Sequence, residues 1–354
     1  MLYHLASCLP LMVCLVWTVI LLAEFRSLDA PRRVLTVFGV VTTVLYACHF
    51  VFFERGSAGF FLTDCIWCFC TLSVYPLYCH YVTVLTTKDF PPFWQILCWL
   101  LPALGMSSWA VYILLTGTDS SLFRRIVGLV DLAVSLSAAA VCFSRLVPFR
   151  RRVRNYYADA EDKLLNPVLV VLILLVAASL ATAVVSLIGR ERFSGQDNLI
   201  IPALVFSSLL FGIFLVGFKT VFPSSEVREE DSSADLEDGH LSSLMERIDR
   251  EMVVGELFRK KGLKISDLAE AVGSNRSYVS AAVNKFAGIS FSDYVNRYRI
   301  RYAQELIRSD RTVQMTEVSD RSGFVDRVSF YRSFKRATGK SPSEWMADFY
   351  DLQH

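Results

Sequence analysis

Gly323-Phe324-Val325-Asp326-Arg327-Val328-Ser329-Phe330-Tyr331-Arg332-Ser333-Phe334-Lys335-Arg336, followed by Gly339-Lys340-Ser341-Pro342-Ser343-Glu344, is the stretch from which the rest of the chain can be read. Phe330 and Phe334, four residues apart, share one face of a helix and are expected in a core. Arg327, Val328, Ser329, Tyr331, Arg332, Lys335 and Arg336 fall elsewhere on that helix and are assigned to contact with a partner. Gly339 marks the helix end. Ser341-Pro342-Ser343-Glu344 then combines an N-cap, a proline at the first helical position and a glutamate placed for a capping box.

The same pattern occurs earlier in the chain. Ile265-Ser266-Asp267-Leu268-Ala269 matches Met315-Thr316-Glu317-Val318-Ser319 at an offset of 50, and Gly273 matches Gly323. After one inserted residue the offset is 51. Val279 then pairs with Phe330, Val283 with Phe334, Gly288 with Gly339, Ser290 with Ser341 and Tyr294 with Trp345. Each copy reads as helix, tight turn, longer helix, glycine, with further start signals at Ser266 and Ser290. Between the copies, Phe291–Ile307 reads as a helix of about 17 residues, some 25 Å long. The expectation for residues 241–354 is seven helices and no strand, with two helix-turn-helix units. That arrangement lays one helix of each unit across a DNA backbone and the next in a major groove.

Ile265-Ser-Asp-Leu-Ala269, Tyr298-Arg-Ile-Arg-Tyr-Ala303 with Leu306, Gly323-Phe324, Ser329-Phe330-Tyr331-Arg332-Ser333-Phe334-Lys335 and Gly339-Lys-Ser-Pro342 together resemble the AraC/XylS regulators, over most of residues 250–350. The resemblance implies binding to double-stranded DNA and, in most such proteins, activation of transcription through RNA polymerase. One departure stands in the first unit. Val283-Asn284 replaces the usual Phe-Lys, and the candidate contacts there, Arg276, Ser277, Ser280 and Ala281, are mostly small. The first unit is expected to read few base edges. In the second, Arg327 and Arg332 are suited to a forked pair of hydrogen bonds to guanine, while Lys335 and Arg336 are expected on phosphates.

Upstream the chain changes character. Its 53% apolar and 20% charged composition averages two unlike parts. Residues 1–218 carry 15 basic and 12 acidic side chains, residues 219–240 carry 2 and 7, and residues 241–354 carry 19 and 15. All nine cysteines lie in the first part, which gives no secreted disulfide framework and suits a reducing cytosol for the last. Runs of about 18 or more apolar residues are long enough to cross a bilayer, and seven are present: Leu5–Ala23, Val34–Phe53, Phe60–Leu85, Phe93–Leu115, Ile126–Phe149, Pro167–Ile188 and Leu199–Phe218. The first lacks a preceding basic residue and a cleavage site, and so reads as a retained span.

Arg26, Arg32, Arg33, Lys88, Arg150, Arg151, Arg152, Arg154 and Lys163 fall in one set of loops, against Arg55, Arg124, Arg125, Arg190 and Arg192 in the other. Positive residues near span ends stay cytoplasmic. The N-terminus is therefore expected outside a bacterial inner membrane and the C-terminal domain in the cytoplasm. The fold class expected is all-α: a seven-helix transmembrane bundle over 1–218, an acidic disordered linker over 219–240, and a cytoplasmic double helix-turn-helix domain over 241–354. As a flexible coil the linker would span on the order of 25 Å.

Ionisable groups at membrane depth are costly and often functional. His49, Asp64 and Asp131 are the candidate pocket for a small ligand or proton. Cys65, Cys68 and Cys70 with Cys48 and His49 have the alternative of a metal site, but small cysteines are ordinary helix-packing residues, and neither a metal nor a cofactor is expected. The chain has no phosphate-binding glycine loop, His-Glu-x-x-His or Gly-x-Ser-x-Gly, so no enzyme is expected. The partners anticipated are DNA, lipid, RNA polymerase, a second copy of the chain, and a small ligand or membrane protein. The competing reading is a transporter-like or anchoring membrane region with a regulatory DNA-binding tail, one that proteolysis could release.

Overall fold

A computed structural model describes residues 2–55, 60–87, 93–188, 200–219 and 238–351. Of the acidic connector expected at 219–240, residues 220–237 lie outside the described residues, while Lys219 ends one helix and Asp238–His240 open another, so these ends are helical and not disordered. Every regular element among them is helical, with one isolated antiparallel bridge between Tyr157 and Lys264. The chain divides into two compact units, Met1–Val147 with Leu165–Ser224, and Pro148–Leu164 with Ser225–His354.

The first unit is built from α1 (Leu2–Ala23), α2 (Ala30–Arg55), α3 (Leu62–Thr87), α4 (Phe93–Thr116), most of α5 (Ser121–Tyr156), α6 (Asn166–Ile188) and α7 (Ile200–Lys219). Each apolar run of the sequence occupies one of these helices. Five stretches, Ala30–Phe52, Leu62–Thr87, Trp94–Thr116, Ser121–Tyr156 and Asn166–Ile188, are long and apolar enough to cross a membrane; Cys8–Ala23 and Ala203–Lys219 are shorter apolar helices. Aromatic packing joins α1, α2 and α7, where Trp17 lies 6.0 Å from Phe214, which in turn meets Phe38 at 5.9 Å. Some polar groups inside the bundle are paired between helices: Thr18 with Thr43 at 3.1 Å, Ser135 with Ser179, and the Tyr78 hydroxyl donating to the Val168 carbonyl at 2.9 Å. The outer surface is apolar. Val19, Leu115, Ile173 and Ile201 are 57%, 79%, 60% and 72% exposed.

In the second unit α8 (Asp238–Val253) precedes two helix pairs, α9 (Ile265–Ala271) with α10 (Arg276–Ala282), and α12 (Met315–Arg321) with α13 (Arg327–Thr338). The pairs start 50 and 51 residues apart, as the repeat requires. Between them runs α11 (Phe291–Ser309), and α14 (Pro342–Asp351) closes the unit. Nineteen residues make α11 about 28 Å long. Its N-terminal half contributes Phe291, Tyr294 and Val295 to one core, around Leu244, Ile248, Leu268 and Val279. Its C-terminal half contributes Ile300, Ala303, Leu306 and Ile307 to another, around Val318, Phe324, Phe330 and Phe334. One rigid helix thus carries two small cores.

Local start signals explain the boundaries. Ser290 caps α11 by accepting from Asp293 N, and Ser341 and Glu344 form a reciprocal box at α14, with Ser341 N donating to Glu344 Oε2 at 2.8 Å and Glu344 N to Ser341 Oγ at 3.3 Å. The start of α9 falls two residues earlier than Ser266 suggests. Lys264 occupies the cap, and its N–H donates to Asp267 Oδ2 at 2.8 Å. The first repeat also departs from the second past Ala282, where Val283–Ala287 forms a wider π turn before Gly288.

Pro148–Leu164, a segment the sequence alone gives to the apolar half, belongs to this second unit. Ala158 is fully buried in the first core. Its N–H donates to the Leu263 carbonyl at 2.9 Å, and its carbonyl accepts from Ser292 Oγ at 2.6 Å.

Candidate nucleic-acid interface

Two helices of the second unit begin with an arginine directly after a capping side chain. Asn275 Oδ1 accepts from Tyr278 N at 2.8 Å ahead of Arg276, and Asp326 Oδ1 accepts from Ser329 N at 2.8 Å ahead of Arg327. The caps satisfy N–H groups that the first helical turn leaves without partners. They also fix which residues face outward.

On α13 the outward face carries Arg327, Val328, Tyr331, Arg332, Lys335 and Arg336, while Phe330 and Phe334 point into the core with Ser333. Ser329 departs from its expected role. It is buried, its N–H and hydroxyl both bonded to Asp326, so it secures the helix start instead of reaching outward. Arg327 lies 5.1 Å over the Tyr331 ring and donates to its hydroxyl at 3.1 Å; that hydroxyl also pairs with Ser343 Oγ at 3.2 Å. Burial raises the Tyr331 phenol, but the bonds from Ser343 and Arg327 outweigh it and leave the group below the ordinary tyrosine value. Arg332 and Arg336 are about half exposed, and their guanidinium groups approach Glu161: Arg336 Nη1 is 2.6 Å from Oε1 and Arg332 Nη1 is 3.9 Å from Oε2.

On α10 the corresponding positions hold Arg276, Ser277, Ser280 and Ala281, all half-buried. Arg276 lies 5.8 Å over the ring of Tyr156, Ser280 Oγ accepts from Asn284 Nδ2 at 3.2 Å, and Ala281 packs against the first core. The chemistry of this face is shorter and less basic than that of α13.

The side chain that sequence reading missed is Arg299. It lies on the apolar stripe of α11, four residues after Val295 and four before Ala303, which was the available signal. It is completely buried. Nε donates to the Phe258 carbonyl at 2.8 Å, Nη2 to the Lys260 carbonyl at 2.9 Å and Nη1 to Asp159 Oδ1 at 2.7 Å, and the guanidinium stacks 5.3 Å over Phe324. Burial lowers its pKa, and the Asp159 charge opposes that shift. The guanidinium ties the segment ahead of α9 and the turn between α12 and α13 to one point on the spacer.

The three candidate pocket residues stand on three helices of the first unit. His49 on α2 accepts from Trp67 Nε1 at 2.8 Å and stacks on Tyr46. Asp64, near the start of α3, accepts from Phe61 N at 2.7 Å. Asp131 on α5 is buried, and its Oδ1 makes no hydrogen bond. A cavity of about 80 Å³ in this unit is lined by His80, Gln95, Trp99 and Arg145 among others, and by none of the three. Cys65 and Cys68 pack with Leu72 and Phe123 in an apolar cluster. Among the described residues no group of three or more His, Cys, Asp or Glu side chains converges as a metal site would.

Residues 268–348 match a helix-turn-helix domain family of the AraC type. The match runs from α9 to α14 and takes in both helix pairs. An uncharacterised HTH-type transcriptional regulator of Staphylococcus aureus is 32% identical over 94 residues, 26% of this chain and 12% of that protein. The Msm operon regulatory protein of Streptococcus mutans is 30% identical over 83 residues, 23% of this chain and 30% of that protein. The chain thus spans well under half the length of these relatives. A solved Listeria innocua protein of unknown function is 30% identical over 28% of this chain and 92% of its own, with a TM-score of 0.26. The C-terminal region is thus similar to the helix-turn-helix domain of transcriptional regulators.

Proposed function

We propose that the chain is a membrane-anchored regulator that binds double-stranded DNA sequence-specifically through both helix pairs, and couples a condition at the membrane to gene expression. The observation that carries the reading is the outward face of α13, where Arg327, Arg332, Lys335 and Arg336 stand on a capped helix inside a matched helix-turn-helix domain. α11, about 28 Å long, is a rigid spacer comparable with one turn of B-DNA, about 34 Å, which suits two reading helices in neighbouring turns of one major groove. Arg332 reads a base edge, Lys335 and Arg336 hold phosphates, and α10 contributes mainly position. RNA polymerase and a second copy of the chain are the protein partners this reading anticipates.

The seven apolar helices, including the two shorter ones, are read as seven crossings with the N-terminus outside and the DNA-binding unit in the cytoplasm. The apolar outer surface of the first unit supports that reading, since side chains such as Leu115 and Ile201 have no core to enter and would be stable against lipid. His49, Asp64 and Asp131 remain the candidate place where a small ligand or proton acts on the bundle. Asp131, buried with an oxygen lacking a hydrogen bond, is the most costly of the three to keep without such a role.

The test is selection from random duplex DNA with the full-length protein in detergent, repeated with Arg332→Ala. The expected result is one enriched sequence, with preference at one base position lost in the variant, as about 1–3 kcal/mol of discrimination implies. Absence of any enriched sequence and of any salt-sensitive binding overturns the function. Unchanged preference in the variant overturns the role of Arg332.

A further inference from the structure

The segment Tyr156–Lys163 is used by neither DNA reading nor the membrane bundle, yet it touches both reading helices. Tyr156 lies under Arg276 at the start of α10. Ala158 and Asp159 fasten the segment to the unit. Ala158 N donates to the Leu263 carbonyl and its own carbonyl accepts from the Ser292 hydroxyl, while Asp159 accepts from Gly262 N at 3.2 Å and from the buried Arg299 at 2.7 Å. From that anchorage the helical turn Glu161–Lys163 brings Glu161 to Arg336 at 2.6 Å and toward Arg332 at 3.9 Å. Only 20% of the Glu161 side chain is exposed. Asp293 Oδ1 is a second carboxylate near Arg336, at 3.5 Å from Nη2.

We propose that this segment is a built-in restraint on DNA binding, in which Glu161 occupies the arginines that would otherwise engage the duplex. The inference rests on the reading of α13 as a DNA-contacting helix. A guanidinium nitrogen held by a carboxylate must release it to donate to a phosphate, and a carboxylate left at that spot repels the phosphate as well. An exposed ion pair is worth about 0–1 kcal/mol by itself, so the restraint is graded and can be overcome by DNA. The chain is continuous from the segment into α5 on one side and, through Leu164 and Leu165, into α6 on the other. A rearrangement of those two helices would therefore move Glu161 directly, with no separate messenger. Pro148, inside α5, lacks the N–H that would continue the helical ladder.

The experiment compares full-length wild type, Glu161→Gln, Arg336→Gln and the double variant in lipid nanodiscs, each titrated against a labelled 40-base-pair duplex over a salt series. Glu305→Gln, an exposed change on α11, controls for loss of one negative charge anywhere. Glu161→Gln is expected to bind about threefold to tenfold tighter than wild type near 0.1 M salt, with the gain shrinking as salt rises. In the Arg336→Gln background the gain should shrink, because the closer of the two arginine partners is gone. Binding by Glu161→Gln equal to wild type, or improved no more than by Glu305→Gln, or improved equally without Arg336, overturns the restraint while leaving DNA binding intact. Failure of every protein to bind at any salt removes the DNA-binding reading and the restraint together.

Discussion

Gly323 joins α12 to α13 with φ near +81°, and a Cβ placed there would stand 2.6 Å from the Cα and carbonyl oxygen of Arg259. Gly273, its counterpart in the first pair, has φ near +61° and open space around the same position. The two glycines therefore separate two effects. Gly273→Ala meets only the conformational cost of a left-handed residue, about 1–2 kcal/mol. Gly323→Ala meets that cost plus backbone that cannot rotate away, so a loss of about 3 kcal/mol or more is expected. Thermal unfolding of the full chain, followed by calorimetry, checks this; equal losses at the two sites would show that Arg259 yields. The turns themselves were legible from the internal repeat. The contact with Arg259 was not, because it joins residues more than sixty positions apart. Arg299 was half legible: its place on an apolar stripe signalled a buried charge, but nothing in the spacing named Asp159 as its partner.

At the scale of elements, the helices follow from local signals and their uses follow from what each face meets. Apolar runs placed the seven helices described for the first unit, and the repeat placed α9, α10, α12 and α13 to within about two residues. The π turn at Val283–Ala287 had only an indirect trace, Val283-Asn284 standing where the pattern has Phe-Lys. With a smaller side chain than Phe334 in the equivalent core position, the helix end is held less firmly in α form. The cap of α13 decides how well its reading face is presented. Asp326 bonds the Ser329 N–H at 2.8 Å and its hydroxyl at 3.1 Å, and its charge suits the positive end of the helix. Asp326→Ala leaves the buried Ser329 hydroxyl without its acceptor and is expected to cost about 1–2 kcal/mol; Asp326→Asn, which keeps an acceptor, should cost less than half of that. Stability is the proper readout, since removing a negative charge beside the reading face also strengthens general attraction to DNA. Equal melting temperatures for Asp326→Ala and wild type would show that the cap contributes nothing to α13.

At the scale of the whole molecule, the DNA-binding unit is completed by a piece of chain that precedes it by some eighty residues. Ala158 fills part of its first core and Asp159 neutralises its buried arginine. A tail cut free in the acidic connector would lose both, which bears on whether proteolytic release could yield an active regulator. Removing one partner of a fully buried ion pair costs about 3–5 kcal/mol. Here departure of the segment also admits water to Arg299, so the loss should be nearer 1–3 kcal/mol, with the apolar contacts of Ala158 included. For a unit of roughly 130 residues that corresponds to a fall in melting temperature of several degrees. The prediction is that Ser225–His354, produced alone, melts lower than the same fragment mixed with a synthetic peptide of residues 148–164. A peptide carrying Asp159→Asn should restore much less, because it returns the core contact but not the charge. If the fragment alone melts as high as the mixture, the segment is not part of the folded unit, and release by proteolysis becomes structurally permissible.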